Sequence, residues 1–346
     1  KQEEIENYKL EPYENISNNL YEYVPAKTQE IAEVTLENLE KTTNIDQIIQ
    51  LCSKMIQGYM TAGDFNRALE LMHKVLSLLP GASIDPLDPN FNQYLLLMSI
   101  VHIEILFNIG AMSECIEVGY RVLSIVNKNN IEAVKPEHIT AENFKSMIFD
   151  AVGYVSIANI LQLQGNLKQF FEIFRTNFDD LPQSYDLFLS LESLVRGEIV
   201  QPQKELVSED DKFSGVIFHV INAFQNISFD YIAFAEEIYQ AKILAKLYHL
   251  HQIELCLDAL IGYAYMKLES YVKASAILFK IIKAANINGM MTLLYLAWYL
   301  MCEMHLKQGK YNVAYGIVNN SLIQLEKNNN ACEYLAILFR YALFKV

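Results

Sequence analysis

Seven histidines, five cysteines and a few close carboxylates are the side chains from which this chain would have to build a reactive or metal-binding centre. His249-Leu250-His251 is the nearest to a ligand pair; His73, His102, His138, His219 and His305 are scattered. On a helix, residues i and i+2 point about 200° apart, so both imidazoles could not reach one metal. Cys52, Cys115, Cys256, Cys302 and Cys332 are far apart, odd in number and form no C-x-x-C pair. Each lies in an apolar helical stretch, which predicts buried free thiols in a reducing compartment rather than a zinc site or a disulfide framework. Asp85 and Asp88 stand beside Pro86 and Pro89 and read as turn and cap residues. Glu236-Glu237 and Glu3-Glu4 have no partner suited to acid–base work. No phosphate loop, nucleophile elbow or zinc-helix motif occurs. The expectation is a protein that is not an enzyme and carries no cofactor and no catalytic or metal-ligating residues.

The elements that hold these residues must be helices. Apolar residues make up 52% of the 346, with only 13 Gly and 8 Pro to break the chain, fewer breakers than average usage would give. The formal net charge is −14, and no run of Lys and Arg offers the basic face that displaces counterions from phosphates. Neither a nucleic-acid partner nor an anionic membrane surface is expected. No stretch of about 18 uncharged apolar residues predicts a transmembrane helix, and no signal peptide is visible. A cytoplasmic location is expected.

One short phrase recurs: a glycine, a small or polar residue, an apolar or aromatic residue, and a mostly small residue five positions after the glycine. It reads Gly63-Asp64-Phe65 with Ala68, Gly110-Ala111-Met112 with Cys115, Gly165-Asn166-Leu167 with Phe170, and Gly309-Lys310-Tyr311 with Ala314. Glu269-Ser270-Tyr271 with Ala274 fits the frame without glycine. Each copy separates two apolar-periodic stretches and so marks the turn of a helical hairpin. Repeated hairpins predict an all-α fold, a right-handed α-solenoid of antiparallel helix pairs. Residues 1–26 form an extended lead-in and 27–178 a lobe of three hairpins, opened by a short helix over 27–42. A helix and an acidic connecting loop occupy 179–212, and 213–346 forms a lobe of three hairpins plus a terminal helix. Counting Asp230 as a turn, the last two spacings are 39 and 40 residues, against 47 and 55 earlier.

These hairpins resemble tetratricopeptide repeats, whose pattern is W-x-x-L-G-x-x-Y in the first helix and A-x-x-x-F in the second, followed by P. Ile261-Gly262-x-x-Tyr265 with Ala274-x-x-x-Leu278 matches best. Tyr59, Gly63-Asp64-Phe65, Ala68-x-x-x-Met72 and Pro80 match in the first hairpin, and Trp298, Gly309-Lys310-Tyr311 and Ala314 in the sixth. Phe170 in place of a small residue and Gly119 in place of a large one depart from the pattern. The period near 40 resembles the helical sensor domains of bacterial signalling ATPases and transcription activators.

The resemblance implies that first helices line a concave groove. Its inner wall would include Lys54, Gln57, Glu104, Asn108, Asn159, Gln162, Tyr263, Lys267, Tyr299 and Glu303. Polar side chains there could bond an extended backbone, since amides both donate and accept. The function implied is a protein-interaction or scaffold module of a larger regulatory protein that binds a peptide or helix. The alternative is a sensing domain whose curvature changes when a small molecule or signal peptide binds. On the terminal helix, Leu335, Leu338, Leu343 and Phe344 have no visible covering unit, so a homodimer through that helix is a further expectation.

Overall fold

The structure is a computed structural model. It describes residues 45–346 apart from 80, 130, 138, 163–166, 169, 172–182, 202, 209–210, 228–229, 289 and 328–332. The expected lead-in, the helix over 27–42, the turn at Gly165 and Cys332 lie outside the described residues.

Among the described residues the chain folds into fourteen α-helices and no strand. It divides into two compact units between Glu198 and Ile199. The first contains α1 (Ile45–Thr61), α2 (Phe65–Ser77), α3 (Gln93–Ile109), α4 (Met112–Lys128), α5 (Ile131–Val134), α6 (Ala141–Gln162) and α7 (Asp186–Val195). The second contains α8 (Ser214–Asn226), α9 (Tyr231–Leu247), α10 (His251–Lys267), α11 (Tyr271–Asn288), α12 (Met291–Lys307), α13 (Tyr311–Lys327) and α14 (Glu333–Lys345). Within each unit, helices pack chiefly on their neighbours in sequence, as an all-α solenoid does. Some helices that are not consecutive also meet directly: α3 with α6, α10 with α12, and α12 with α14.

The recurring turn has one hydrogen-bond pattern. The residue after the left-handed position donates its N–H to the carbonyl five residues back: Asp64 to Tyr59, Ala111 to Leu106, Ser270 to Tyr265 and Lys310 to His305, at 2.8 to 2.9 Å. This closes the preceding helix and satisfies a carbonyl that would otherwise be orphaned. The position before the donor has φ of +76° at Gly63, +84° at Gly110, +71° at Gly309 and +60° at Glu269. Glycine accepts that φ without a Cβ clash, and Glu269 does not. A fifth copy escaped the sequence phrase: Leu250 donates to Ala245 at 2.8 Å after His249 at +56°.

Three helix starts are fixed by short acceptors, whereas α4, α10 and α12 begin after Ala111, Leu250 and Met290 with no side-chain cap. Asn92 caps α3 through Tyr94 and Leu95, and Asp230 caps α9 through Ile232 and Ala233. Asp64 accepts from the Arg67 N–H at the start of α2. Asp85 and Asp88 accept from the N–H groups of Leu87 and Asn90, as turn residues do. An isolated bridge between Ser83 and Phe91 closes their loop.

Packing differs between helices. On α2 the buried residues Phe65, Ala68, Met72 and Val75 form one narrow stripe. α6 instead is long and apolar enough to cross a membrane, by length and composition, over Ala141–Leu161. It contains no uncharged run, because Glu142, Lys145 and Asp150 interrupt the apolar residues. Of the apolar 18-residue stretch within that span, 61% of the residues are buried inside the protein, and α6 packs on α3 and α4. Gly119 lies where α4 approaches α6; a Cβ there would stand 2.2 Å from Val155 Cγ2. The departure from the repeat pattern at Gly119 therefore has a steric cause. Phe170, the other departure, is buried with its ring 5.0 Å from that of Tyr120.

Cys52, Cys115 and Cys302 are buried free thiols, and Cys256 is partly buried. The Cys115 thiol points at the Ile103 carbonyl at 3.6 Å and that of Cys302 at the Ala314 carbonyl at 3.8 Å. Burial pushes the Cys115 and Cys256 thiols up to about 12. Burial, aided by the Glu303 charge, does the same at Cys302.

Candidate functional site

The positions expected to line the groove fare differently in the two units. In the first, Lys54 and Gln57 on α1 are exposed. Glu104 on α3 is half-buried and accepts the Tyr154 hydroxyl at 2.7 Å. Burial, then the Glu104 charge, holds that phenol well above its usual pKa. Asn108 and Asn159 are only 1% and 2% exposed. Their amides donate to the Glu104 and Val155 carbonyls of their own helices, at 2.9 and 2.8 Å. They present no surface to a partner, which corrects their assignment to the inner wall. The cause is packing: Asn108 on α3 lies against Tyr154 of α6, and Asn159 on α6 lies against Tyr120 of α4, so neighbouring helices cover the face that was expected to be open. Gln162 ends α6, and its side chain lies outside the described residues.

In the second unit the four expected residues form two clusters, one on α10 and one on α12. On α10 the Lys267 ammonium stands 5.1 Å from the Tyr263 ring centroid and 5.8 Å from that of Tyr231. The two rings meet edge-on at 6.4 Å. Burial acts to lower the Lys267 pKa, but its contacts with Tyr263 and Tyr231 outweigh it, and the net direction is upward. On α12 the Tyr299 hydroxyl donates to Glu303 at 3.3 Å, and Lys345 from α14 pairs with the same carboxylate at 2.8 Å. The Tyr299 ring packs edge-on against Phe339 of α14 at 5.8 Å.

Lys307 lies within electrostatic reach of both clusters. Burial first, then the Lys267 charge, lowers its pKa, while Glu269 and Glu303 act in the other direction. Tyr263, Lys267, Tyr299 and Glu303 are all partly exposed. They lie on α10 and α12, which pack directly together, with α14 against α12. The result is a strip of tyrosines interleaved with charges of both signs. Sequence reasoning missed Tyr231, Lys307 and Lys345, although the 40-residue step from Lys267 to Lys307 was a signal for one of them.

A second polar cluster, also missed, is buried. Lys242 on α9 pairs with Asp258 on α10, and Lys246 with Glu254 at 3.8 Å. Lys280 on α11 reaches Asp258 at 3.4 Å. Charged residues read from sequence default to the surface. The available signal was a pair of lysines at i, i+4 followed by a pair of carboxylates at i, i+4.

The histidines make other pairs. His249 and His251 have ring centroids 6.2 Å apart. They are not held about 200° apart on one helix, because His249 sits in the left-handed turn, one residue before the cap of α10. His73 and His102 meet edge-on at 6.0 Å. His102 is pushed down to about 4 by burial first, then by His73 and Arg121. His219 Nδ1 lies 2.7 Å from Glu237. Among the described residues no group of three or more His, Cys, Asp or Glu is placed to hold a metal.

On the terminal helix, Leu335 is buried, packed in the core formed with α12 and α13, and Leu338 is partly buried against it. Leu343 and Phe344 are exposed, Phe344 at 90%. No family model matches the chain, and neither does any curated protein.

Proposed function

We propose that this chain is a non-catalytic interaction module of tetratricopeptide type, belonging to a cytoplasmic regulatory protein. In this reading it holds a peptide or helix of a partner protein against the strip on α10, α12 and α14. The observation that carries the reading is that Tyr263 with Lys267, and Tyr299 with Glu303, form two partly exposed clusters on helices that pack together, extended by Tyr231, Lys307 and Lys345. Tyrosine offers a large, rigid, amphipathic surface at low cost in conformational entropy and is enriched at binding hot spots. Charges of both signs beside it suit an extended peptide, whose backbone and side chains need donors as well as acceptors.

The test is to pan the full chain against a displayed peptide library and measure selected peptides against wild type, Tyr263→Ala and Tyr299→Ala. Truncating a hot-spot tyrosine costs about 2 kcal/mol, or roughly 30-fold in affinity. Lys54→Ala on the first unit serves as the control and should leave affinity unchanged. Peptides that bind all variants equally, or a library that yields no binder, would overturn the reading.

A further inference from the structure

Apolar patterning sets the rotation of a helix when its apolar residues form one stripe, as on α2. α10 has no such stripe. Its buried positions, among them Glu254, Leu257, Asp258, Ala259, Ile261 and Tyr265, spread over more than half of its circumference. The apolar residues alone therefore leave open which face of α10 meets α9 and which meets α11 or α12.

Charges remove that ambiguity. Two lysines one turn apart on α9 face two carboxylates one turn apart on α10, in antiparallel order, with Lys280 of α11 closing on Asp258. The side chains of Lys242, Lys246, Glu254 and Asp258 are 3% to 6% exposed. Turning α10 by one residue, about 100°, would leave buried charges without their partners, which is strongly unfavourable. Replacing a buried ion pair by apolar residues of similar volume, in contrast, often leaves a protein equally stable or more so.

We propose that this four-residue ladder selects the rotational setting of α10 between α9 and α11. Its role is to choose one packing rather than to strengthen it. The ladder thereby decides where Tyr263 and Lys267 point, so it positions the strip without touching any ligand. The selection of one setting does not depend on the peptide-binding reading, because its test uses no ligand.

The experiment compares the full wild-type chain with the variant Lys242→Met, Lys246→Met, Glu254→Leu, Asp258→Leu. Two readouts are taken: the urea midpoint from the single tryptophan, Trp298, and ring-to-ring NMR contacts in chains labelled at Phe and Tyr. The wild type should give one set of contacts between Phe234 and Tyr263, whose centroids are 6.2 Å apart. The apolar variant should keep or raise the midpoint while that set splits or disappears. A variant that fails to fold, or that has a lower midpoint with the single set retained, would make the ladder an ordinary stabiliser and overturn the proposal. So would an unchanged set at an unchanged or higher midpoint. A second comparison exchanges one rung. Lys246→Glu with Glu254→Lys should retain the single set. Lys246→Glu alone, with two carboxylates face to face, should lose it. Identical behaviour of the two would also overturn the proposal.

Discussion

Replacing Gly119 by alanine tests the close approach of α4 to α6. The new Cβ would lie 2.2 Å from Val155 Cγ2 and 3.4 Å from Val155 Cβ and Cγ1. Carbon atoms rest at about 3.5–4.0 Å, so one partner must move by more than an ångström. Val155 is fully buried on α6, and a β-branched side chain in a helix has essentially one χ1 rotamer. The strain therefore passes to the backbone, and overpacking of this kind costs about 1–3 kcal/mol. Alanine returns about 0.5–1 kcal/mol through its higher helix propensity. The expected net loss is about 1–2 kcal/mol. Val155→Ala alone should also destabilise, by about 2 kcal/mol, from the methyl groups removed and the cavity left. In the double variant the alanine at 119 enters that cavity. The combined loss should fall short of the sum by more than 1 kcal/mol, well beyond the additivity error of independent sites. Urea unfolding of the four proteins followed by far-UV circular dichroism measures this. A Gly119→Ala protein as stable as wild type, or a coupling energy near zero, would refute the steric argument.

Glu269→Gly should stabilise the protein by about 0.5–1 kcal/mol. It relieves a left-handed φ that costs an L-residue about 1–2 kcal/mol, less the extra chain entropy of glycine. Glu269→Ala keeps the strain while removing the charge that acts on Lys307, so it should give no gain in thermal melting. His102 titrates at about 4 in the folded chain against 6.5 when unfolded. The unfolded chain therefore binds more protons between these values, and stability should rise with pH from 4 to 6.5. His102→Leu should flatten that segment of the stability profile. A slope unchanged by the variant would assign it to other groups.

Hairpin turns were the most legible part of the fold, because a left-handed φ favours glycine, and Gly63, Gly110 and Gly309 leave that mark in sequence. His249 carries the same turn without that mark, so the start of α10 was found only from the apolar period on either side. Burial of individual polar residues was less legible. Asn108 and Asn159 occupy first-helix positions that the repeat frame turns toward a groove, but an asparagine amide can be satisfied by its own helix, and here each is. The strip was half legible. Tyr263, Lys267, Tyr299 and Glu303 follow from the repeat frame, whereas Lys345 joins them through α14, whose packing on α12 has no counterpart in local pattern. The buried ladder was hidden because its four members lie in two segments and meet only after the chain turns at His249.

The thiols of Cys115 and Cys302 belong to different units, and each is sealed inside a hairpin and kept protonated. Alkylating reagents attack thiolates, so neither sulfur should react until its own hairpin opens. The molecule thus contains a chemical clock in each unit. Timing the modification of each cysteine under native conditions would report the opening rate of each unit separately, without any label having been introduced.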